Sequence, residues 1–148
     1  MIEIEINDGK QLMTSSYRKS LSMIVAKDRT QIEGVPHFID LYARLLIEIS
    51  PKGNVAFIEA LYHEHYLRRL NTLPDTYNFK KIEGKIMRVI TPQIIDSNPD
   101  FEITAFYNTD KRELNCFWRE NYELDEIVAS EVSFYVHEGK LCGLKLKA

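Results

Sequence analysis

The sequence predicts an α+β domain in which an N-terminal strand or hairpin and three helices pack on one face of a four- to five-stranded antiparallel sheet. Two observations predict this fold. Apolar residues recur at helical spacing up to about residue 80, and after it they alternate with polar residues as in strands. The length of 148 residues, with 45% hydrophobic and 28% charged residues, fits a single globular domain over residues 1–148.

The N-terminal segment predicts a half-buried strand, because Ile2, Ile4 and Ile6 alternate with two glutamates. A turn sequence, Asn-Asp-Gly, follows directly at residues 7–9. Residues 11–14 are therefore expected to return as the second strand of a hairpin.

Three helices are expected between residues 17 and 70. The first has apolar residues at i, i+4, i+7 and i+8, which are Tyr17, Leu21, Ile24 and Val25. The second follows Pro36, and only Asp40, Arg44 and Glu48 keep one stripe of it in water. Its remaining positions, Leu45 among them, are apolar, so this helix is expected to be the most buried.

Asn54 is expected to cap the third helix, after a turn formed by the Ser-Pro-Lys-Gly sequence at residues 50–53. The inner face of this helix would carry Phe57, Ile58, Leu61 and Tyr62. Leu45→Ala and Leu61→Ala are each expected to cost about 2–5 kcal/mol of stability, as buried leucines do.

Five strand-like stretches follow, at residues 82–90, 101–107, 112–119, 128–136 and 141–147. With Thr109-Asp110 as the tip of one hairpin, Ala105 lies opposite Leu114. With Glu138-Gly139 as the tip of another, Val136 lies opposite Leu141, and the next pair would be Tyr135 with Cys142. The helices are expected to cover the apolar face of this sheet, on the side of Phe101 and Trp118.

Composition limits the classes of partner and the compartment. The formal charge of −3 gives no general attraction to phosphate backbones, so nucleic acid is not an expected partner. The N-terminus has no signal-peptide pattern and no stretch is apolar enough for a membrane helix, so the protein is expected in the cytoplasm, away from membranes. Its two cysteines, Cys116 and Cys142, are then expected to be free thiols.

No cofactor, metal site or catalytic residue is predicted. The sequence Tyr-His-Glu-His-Tyr at residues 62–66 suggests zinc, but the two histidines are two apart and would point to opposite sides of a helix. His65 is expected to be a hydrogen-bonded, half-buried histidine. Its functional alternative is a general base facing a cavity.

An acidic and aromatic stretch is the best candidate for a binding surface. Its predicted partner-binding residues are Trp118, Glu120, Tyr122, Glu123, Asp125 and Glu126. Carboxylates around aromatic anchors are suited to a basic partner, since they speed the encounter and reject wrong partners by charge. The alternative is an ordinary polar loop beside a strand edge.

Two functions follow. The favoured one is a small protein-binding module, a dedicated inhibitor or immunity-type protein that blocks a basic macromolecule such as a toxin or nuclease, so enzymatic activity is not expected. The alternative is a cone that binds a small apolar ligand or acts as a small enzyme. Its order of helices followed by long strands resembles the cystatin-like fold of the nuclear-transport-factor-2 superfamily, and Tyr62, His65 and Tyr107 would then line the pocket.

Overall fold

The computed structural model describes residues 2–30, 37–41, 44–90, 102–119 and 122–148, with the backbone alone for 37–41. In these residues the chain is a β-sandwich, and the predicted α+β fold with three helices is wrong. The only helical segments described are a 3-10 turn at Lys19–Leu21 and the four-residue α1, Glu64–Leu67. None of the helical segments in the described ranges has the length and apolar character that crossing a membrane requires.

Thirteen strands are present in the described residues. They are β1 (Ile4–Asp8), β2 (Met13–Arg18), β3 (Met23–Asp28), β4 (His37–Leu41), β5 (Leu45–Ile49), β6 (Val55–Leu61), β7 (Asn78–Ile82), β8 (Lys85–Val89), β9 (Thr104–Asn108), β10 (Glu113–Phe117), β11 (Glu123–Ala129), β12 (Val132–His137) and β13 (Lys140–Lys147).

The strands form two large sheets and a ribbon. One sheet has five antiparallel strands in the order β2-β3-β6-β5-β4. The other has six strands in the order β7-β11-β12-β13-β10-β9, and within it β7 runs parallel to β11 while all other pairs are antiparallel. The ribbon pairs β1 with β8.

The main core lies between the two large sheets. Alternate residues of the strands with described side chains point inward. Ile24 and Ile58 of the five-stranded sheet share one apolar cluster with Leu114, Phe134 and Leu144 of the other. All five side chains are fully buried. Alternation of this kind is what gives a sandwich its common interior.

Bridges and a hydrogen bond connect the six-stranded sheet to the five-stranded sheet and to the ribbon. At β2, Met13 forms a parallel bridge with Ser130, and the hydroxyl of Ser15 donates to the carbonyl of Lys147 at 2.8 Å. At the ribbon, Glu3 forms a bridge with Lys140 of the six-stranded sheet.

The three segments that were expected to be helices form strands instead. The expectation failed because most of their apolar spacing is compatible with a helix and with a strand. Phe57 and Leu61 are four residues apart, as are Ile58 and Tyr62, and one helical face would hold all four. In β6 and just after it the two pairs separate: Ile58 and Tyr62 are buried in the core, whereas Leu61 is 45% exposed on the other face. The β-branched residues in these segments, such as Ile24, Ile47 and Val55, favour the extended form.

The resemblance to the nuclear-transport-factor-2 superfamily is therefore wrong as well, since it depended on helices that precede the sheet. The predicted hairpin of the N-terminal strand with residues 11–14 is also wrong, because β1 pairs with β8 and β2 pairs with β3. The turn predicted at residues 50–53 is present, but it joins β5 to β6: the amide of Gly53 donates to the carbonyl of Ser50 at 2.8 Å.

Strands are confirmed in the second half, with different bounds and registers. Gly84, at φ 71°, divides the stretch 82–90, and Ser130, at φ 62°, ends β11. The pairing of Val136 with Leu141 is confirmed, but a bulge then places Tyr135 opposite Gly143 instead of Cys142. In the other hairpin Ala105 lies opposite Cys116, so the predicted register is wrong by two residues.

Candidate functional site

The six residues predicted to bind a partner do not form one surface. Trp118 lies in the main core and donates its indole N–H to the carbonyl of Leu141 at 2.9 Å. Glu126 is buried, whereas Tyr122 and Glu123 are exposed and Asp125 is half-buried. Glu120 lies outside the described residues. A partner can therefore reach Tyr122, Glu123 and Asp125, but not Trp118 or Glu126.

The three accessible residues lie beside a groove at the edge of the six-stranded sheet, which we call the β7–β11 groove. It has a volume of about 390 Å³. Its lining residues are Asn78, Phe79, Lys80, Glu123, Leu124, Asp125 and His137. Tyr122 directly precedes β11 and is 54% exposed, the second-largest exposed fraction among the large hydrophobic side chains that the structure describes.

The parallel pairing of β7 with β11 builds this groove. The amide of Asn78 donates to the carbonyl of Tyr122 at 2.6 Å, and the register then places Phe79 opposite Leu124 and Lys80 opposite Asp125. A lysine of β7 thus stands beside a carboxylate of β11. The groove therefore carries mixed charge, and it is less acidic than the stretch from residue 120 to residue 126 suggests.

A layer of aromatic rings supports the groove on the outer face of the six-stranded sheet. This outer aromatic cluster consists of Tyr77, Phe79, Phe106, Phe117, Tyr122 and Tyr135. Tyr77 meets Tyr122 edge to face at 5.2 Å and stacks on Phe117 at 4.9 Å, while Phe79 stacks on Tyr135 at 4.5 Å. Such contacts hold the exposed ring of Tyr122 in a fixed place.

A buried polar network adjoins the aromatic rings. Oε2 of Glu126 accepts hydrogen bonds from the hydroxyl of Ser133 at 2.7 Å and from the ammonium group of Lys145 at 2.9 Å. Next to it, the hydroxyl of Tyr135 donates to Asn115. Burial, and next the negative charge of Glu126, raise the pKa of Tyr135 well above its ordinary value, so this phenol stays neutral.

The three residues predicted to line a pocket lie in different surroundings. Tyr62 is buried and accepts a weak hydrogen bond from the thiol of Cys116 at 3.8 Å, and burial raises the pKa of that thiol to about 12. His65 is exposed in α1. Tyr107 lines a cleft of about 270 Å³, together with Tyr17, Glu64 and two arginines.

The walls of that cleft are mixed, since Leu67 and Ala148 lie beside polar and charged groups, so the cleft differs from the apolar pocket of the alternative function. The charged groups at it are Glu64, Arg68 and Arg112, and Arg68 pairs with Glu64 at 3.3 Å. The exposed side chain of His65 does not line it.

Tyr77 and Phe79 are the site residues that sequence reasoning missed. Phe79 lies in β7, and Tyr77 contacts four other rings of the outer aromatic cluster. Their signal is the spacing of two residues, which places both rings on one side of an extended chain.

Within the described segments, no group of three or more His, Cys, Asp or Glu side chains could hold a metal ion. No protein-family model matches the sequence, and a search of curated proteins finds no match.

Proposed function

We propose that this chain is a protein-binding module that docks on a basic site of another protein through the β7–β11 groove, as a dedicated inhibitor or immunity-type protein does. The observation that carries the proposal is the exposed ring of Tyr122 beside a groove that contains the carboxylates of Glu123 and Asp125. An aromatic anchor with charged groups around it is typical of protein interfaces.

The packing of the Tyr122 ring against other rings supports this function. Its ring contacts Tyr77, which in turn stacks on the fully buried Phe117, so the anchor is held by the sheet itself. An anchor that is already ordered loses little conformational entropy when it binds. Tyrosine also combines a large apolar surface with a hydroxyl for a polar contact.

The charges of the groove favour a basic partner. The two carboxylates of Glu123 and Asp125 outnumber the single lysine, Lys80, among the lining residues, so the groove carries a net negative charge. Opposite charges at the rim act mainly on the rate of association, which falls as salt screens them. We also place the protein in the cytoplasm, because both of its cysteines are free and buried.

Site-specific photo-crosslinking tests the proposal. A photoreactive phenylalanine replaces Tyr122 in one variant and Leu21, which is 57% exposed, in a control variant. We expect one polypeptide to be crosslinked from position 122 in the native cell and not from position 21. That polypeptide, purified, should then bind the unmodified chain with an association rate that falls as salt rises.

Charge reversal identifies the groove as the binding site. Glu123→Lys with Asp125→Lys should lower the association rate about tenfold or more. The matched control, Glu5→Lys with Asp110→Lys, makes the same change of charge at exposed positions elsewhere and should have a small effect. Equal effects of the two pairs, or an association rate that ignores salt, would contradict the proposal.

A further inference from the structure

The middle of the outer face of the five-stranded sheet carries several apolar side chains, where an exposed sheet face is normally polar. Its apolar residues come from three neighbouring strands and are Met23, Val25, Leu46, Phe57 and Leu61. Leu61 is 45% exposed and the other four are half-buried. Grouped apolar side chains on a surface mark a site of interaction more often than scattered ones do.

Two carboxylates stand in the middle of this apolar face. In the register of the sheet, Glu48 lies opposite Phe57, and Glu59 lies between Val25 and Leu46. Both glutamates are half-buried. Burial, and then the like charge of Glu59, raise the pKa of Glu48.

Neither carboxylate has a counter-charge of its own. In the described part of the chain, no ion pair or side-chain hydrogen bond includes Glu48 or Glu59, whereas seven ion pairs occur elsewhere. Lys27 shares a row with Glu48, but Phe57 stands between them. Arg18 and Arg44 lie at one end of the face, beside Met23 and Leu61, and neither forms an ion pair with the two glutamates. A half-buried negative charge without a partner is costly, and a cation brought by another molecule would remove that cost.

We propose that this face, named the Glu48–Glu59 face, binds a basic amphipathic protein segment that brings lysine or arginine to the two carboxylates and apolar side chains to Leu46, Phe57 and Leu61. Charge complementarity selects this occupant, because an acidic or purely apolar segment would leave both carboxylates buried without a partner. The face belongs to the other sheet from the β7–β11 groove, so the two proposals stand on separate residues.

The test uses a short synthetic peptide that alternates leucine with lysine, titrated into the full chain with labelled methyl groups and followed by NMR. We expect saturable shifts at the methyl groups of Val25, Leu46 and Leu61, and weaker binding at higher salt. The double variant Glu48→Gln with Glu59→Gln should bind about tenfold more weakly.

Two controls make the result specific. Asp75→Asn with Glu83→Gln removes two exposed charges outside both proposed sites and should leave the shifts at Val25, Leu46 and Leu61 unchanged. Those methyl groups report this face alone, so failure of one proposal is distinguishable from failure of the other. A peptide with glutamate in place of lysine should not bind. Equal binding of that acidic peptide, wild-type affinity in the Glu48/Glu59 double variant, or sedimentation showing that a second copy of the chain covers this face would overturn the proposal.

Discussion

The hydroxyl of Ser133 donates a hydrogen bond to Oε2 of Glu126 at 2.7 Å, and both side chains are buried in the outer face of the six-stranded sheet. The same oxygen accepts a hydrogen bond from Lys145. Three neighbouring strands thus contribute one residue each to a hydrogen-bond network around the buried carboxylate of Glu126. A network of this kind fixes the pairing of the strands only while all of its members are present.

Removal of the cation from this network should be strongly destabilising. Lys145→Met leaves the carboxylate of Glu126 buried with only Ser133 as a partner, and we expect a loss of about 3 kcal/mol in the free energy of unfolding. The double variant Lys145→Met with Glu126→Leu replaces the pair with apolar side chains and should recover most of that loss. Urea titration of the three proteins measures both values, and additive losses would contradict the pairing.

The two leucines that sequence reasoning treated alike should behave differently. Leu45 is 1% exposed in the main core, whereas Leu61 is 45% exposed on the outer face. Leu45→Ala should therefore cost about 3 kcal/mol, and Leu61→Ala should cost less than about 1 kcal/mol. The side chain of Asp40, which was expected on the water-facing stripe of the second helix, lies outside the described part of the structure. Chemical denaturation ranks the two leucine variants. The reverse order would mean that the inner and outer faces of β5 and β6 are exchanged.

The stability of the protein should depend on pH through Glu48. Its pKa is raised from 4.5 by burial and by Glu59, so the folded chain binds the proton more tightly than the unfolded chain does. The free energy of unfolding contributed by Glu48 therefore decreases as the pH rises from below 4.5 to above the raised pKa. The full penalty is present once the pH is above the raised pKa.

Glu48→Gln removes the cost of burying this negative charge. Its effect on the free energy of unfolding shows whether the carboxylate stabilises or destabilises the fold. The variant should be more stable than the wild type at neutral pH, and the difference should disappear in acid, where Glu48 is protonated in both states. Thermal unfolding at a series of pH values measures the difference. A variant that is less stable than the wild type at neutral pH would mean that the carboxylate of Glu48 makes a stabilising contact.

Gly143 should not tolerate a side chain. A Cβ atom there would lie 2.4 Å from the carbonyl oxygen of Cys116 and 2.8 Å from the ring of Phe117, and the backbone of a central strand cannot move away. We expect Gly143→Ala to cost about 2–3 kcal/mol. Gly84→Ala is the comparison, since it meets nothing within 4 Å and has only the strain of φ 71° to overcome, which costs about 1 kcal/mol. Equal losses in the two variants would show that β10 shifts to make room for a methyl group at position 143.

Alternation in the second half of the sequence predicts β8, β9, β10, β12 and β13, whereas β7 and most of β11 lie outside the predicted stretches. In the first half, spacings of four residues fit a helix and a strand equally, and only spacings of three or seven separate the two. Tyr17, Leu21 and Val25 are spaced by four, so the interpretation as a helix depended on Ile24 alone. The β-branched residues of β3, β5 and β6 favour strands, and they were the signal that could have separated a strand from a helix here.

The candidate site was predictable only in part, for a related reason. The stretch from Trp118 to Glu126 marks an unusual place in the chain, but alternation along β11 sends Glu126 to the outer face of the sheet while Trp118 points into the core. The contribution of Tyr77 and Phe79 depends on the parallel pairing of β7 with β11. No local pattern reveals a pairing between segments so far apart in sequence.

The parallel pairing of β7 with β11 also has a consequence for how the chain reaches its native state. The ribosome completes β7 long before it synthesises β11, so β7 must wait without its partner while later strands form hairpins with their neighbours. Closing so long a loop is slow compared with hairpin formation. We expect the charges of Lys80 and Lys81 to oppose aggregation of the unpaired strand during that interval.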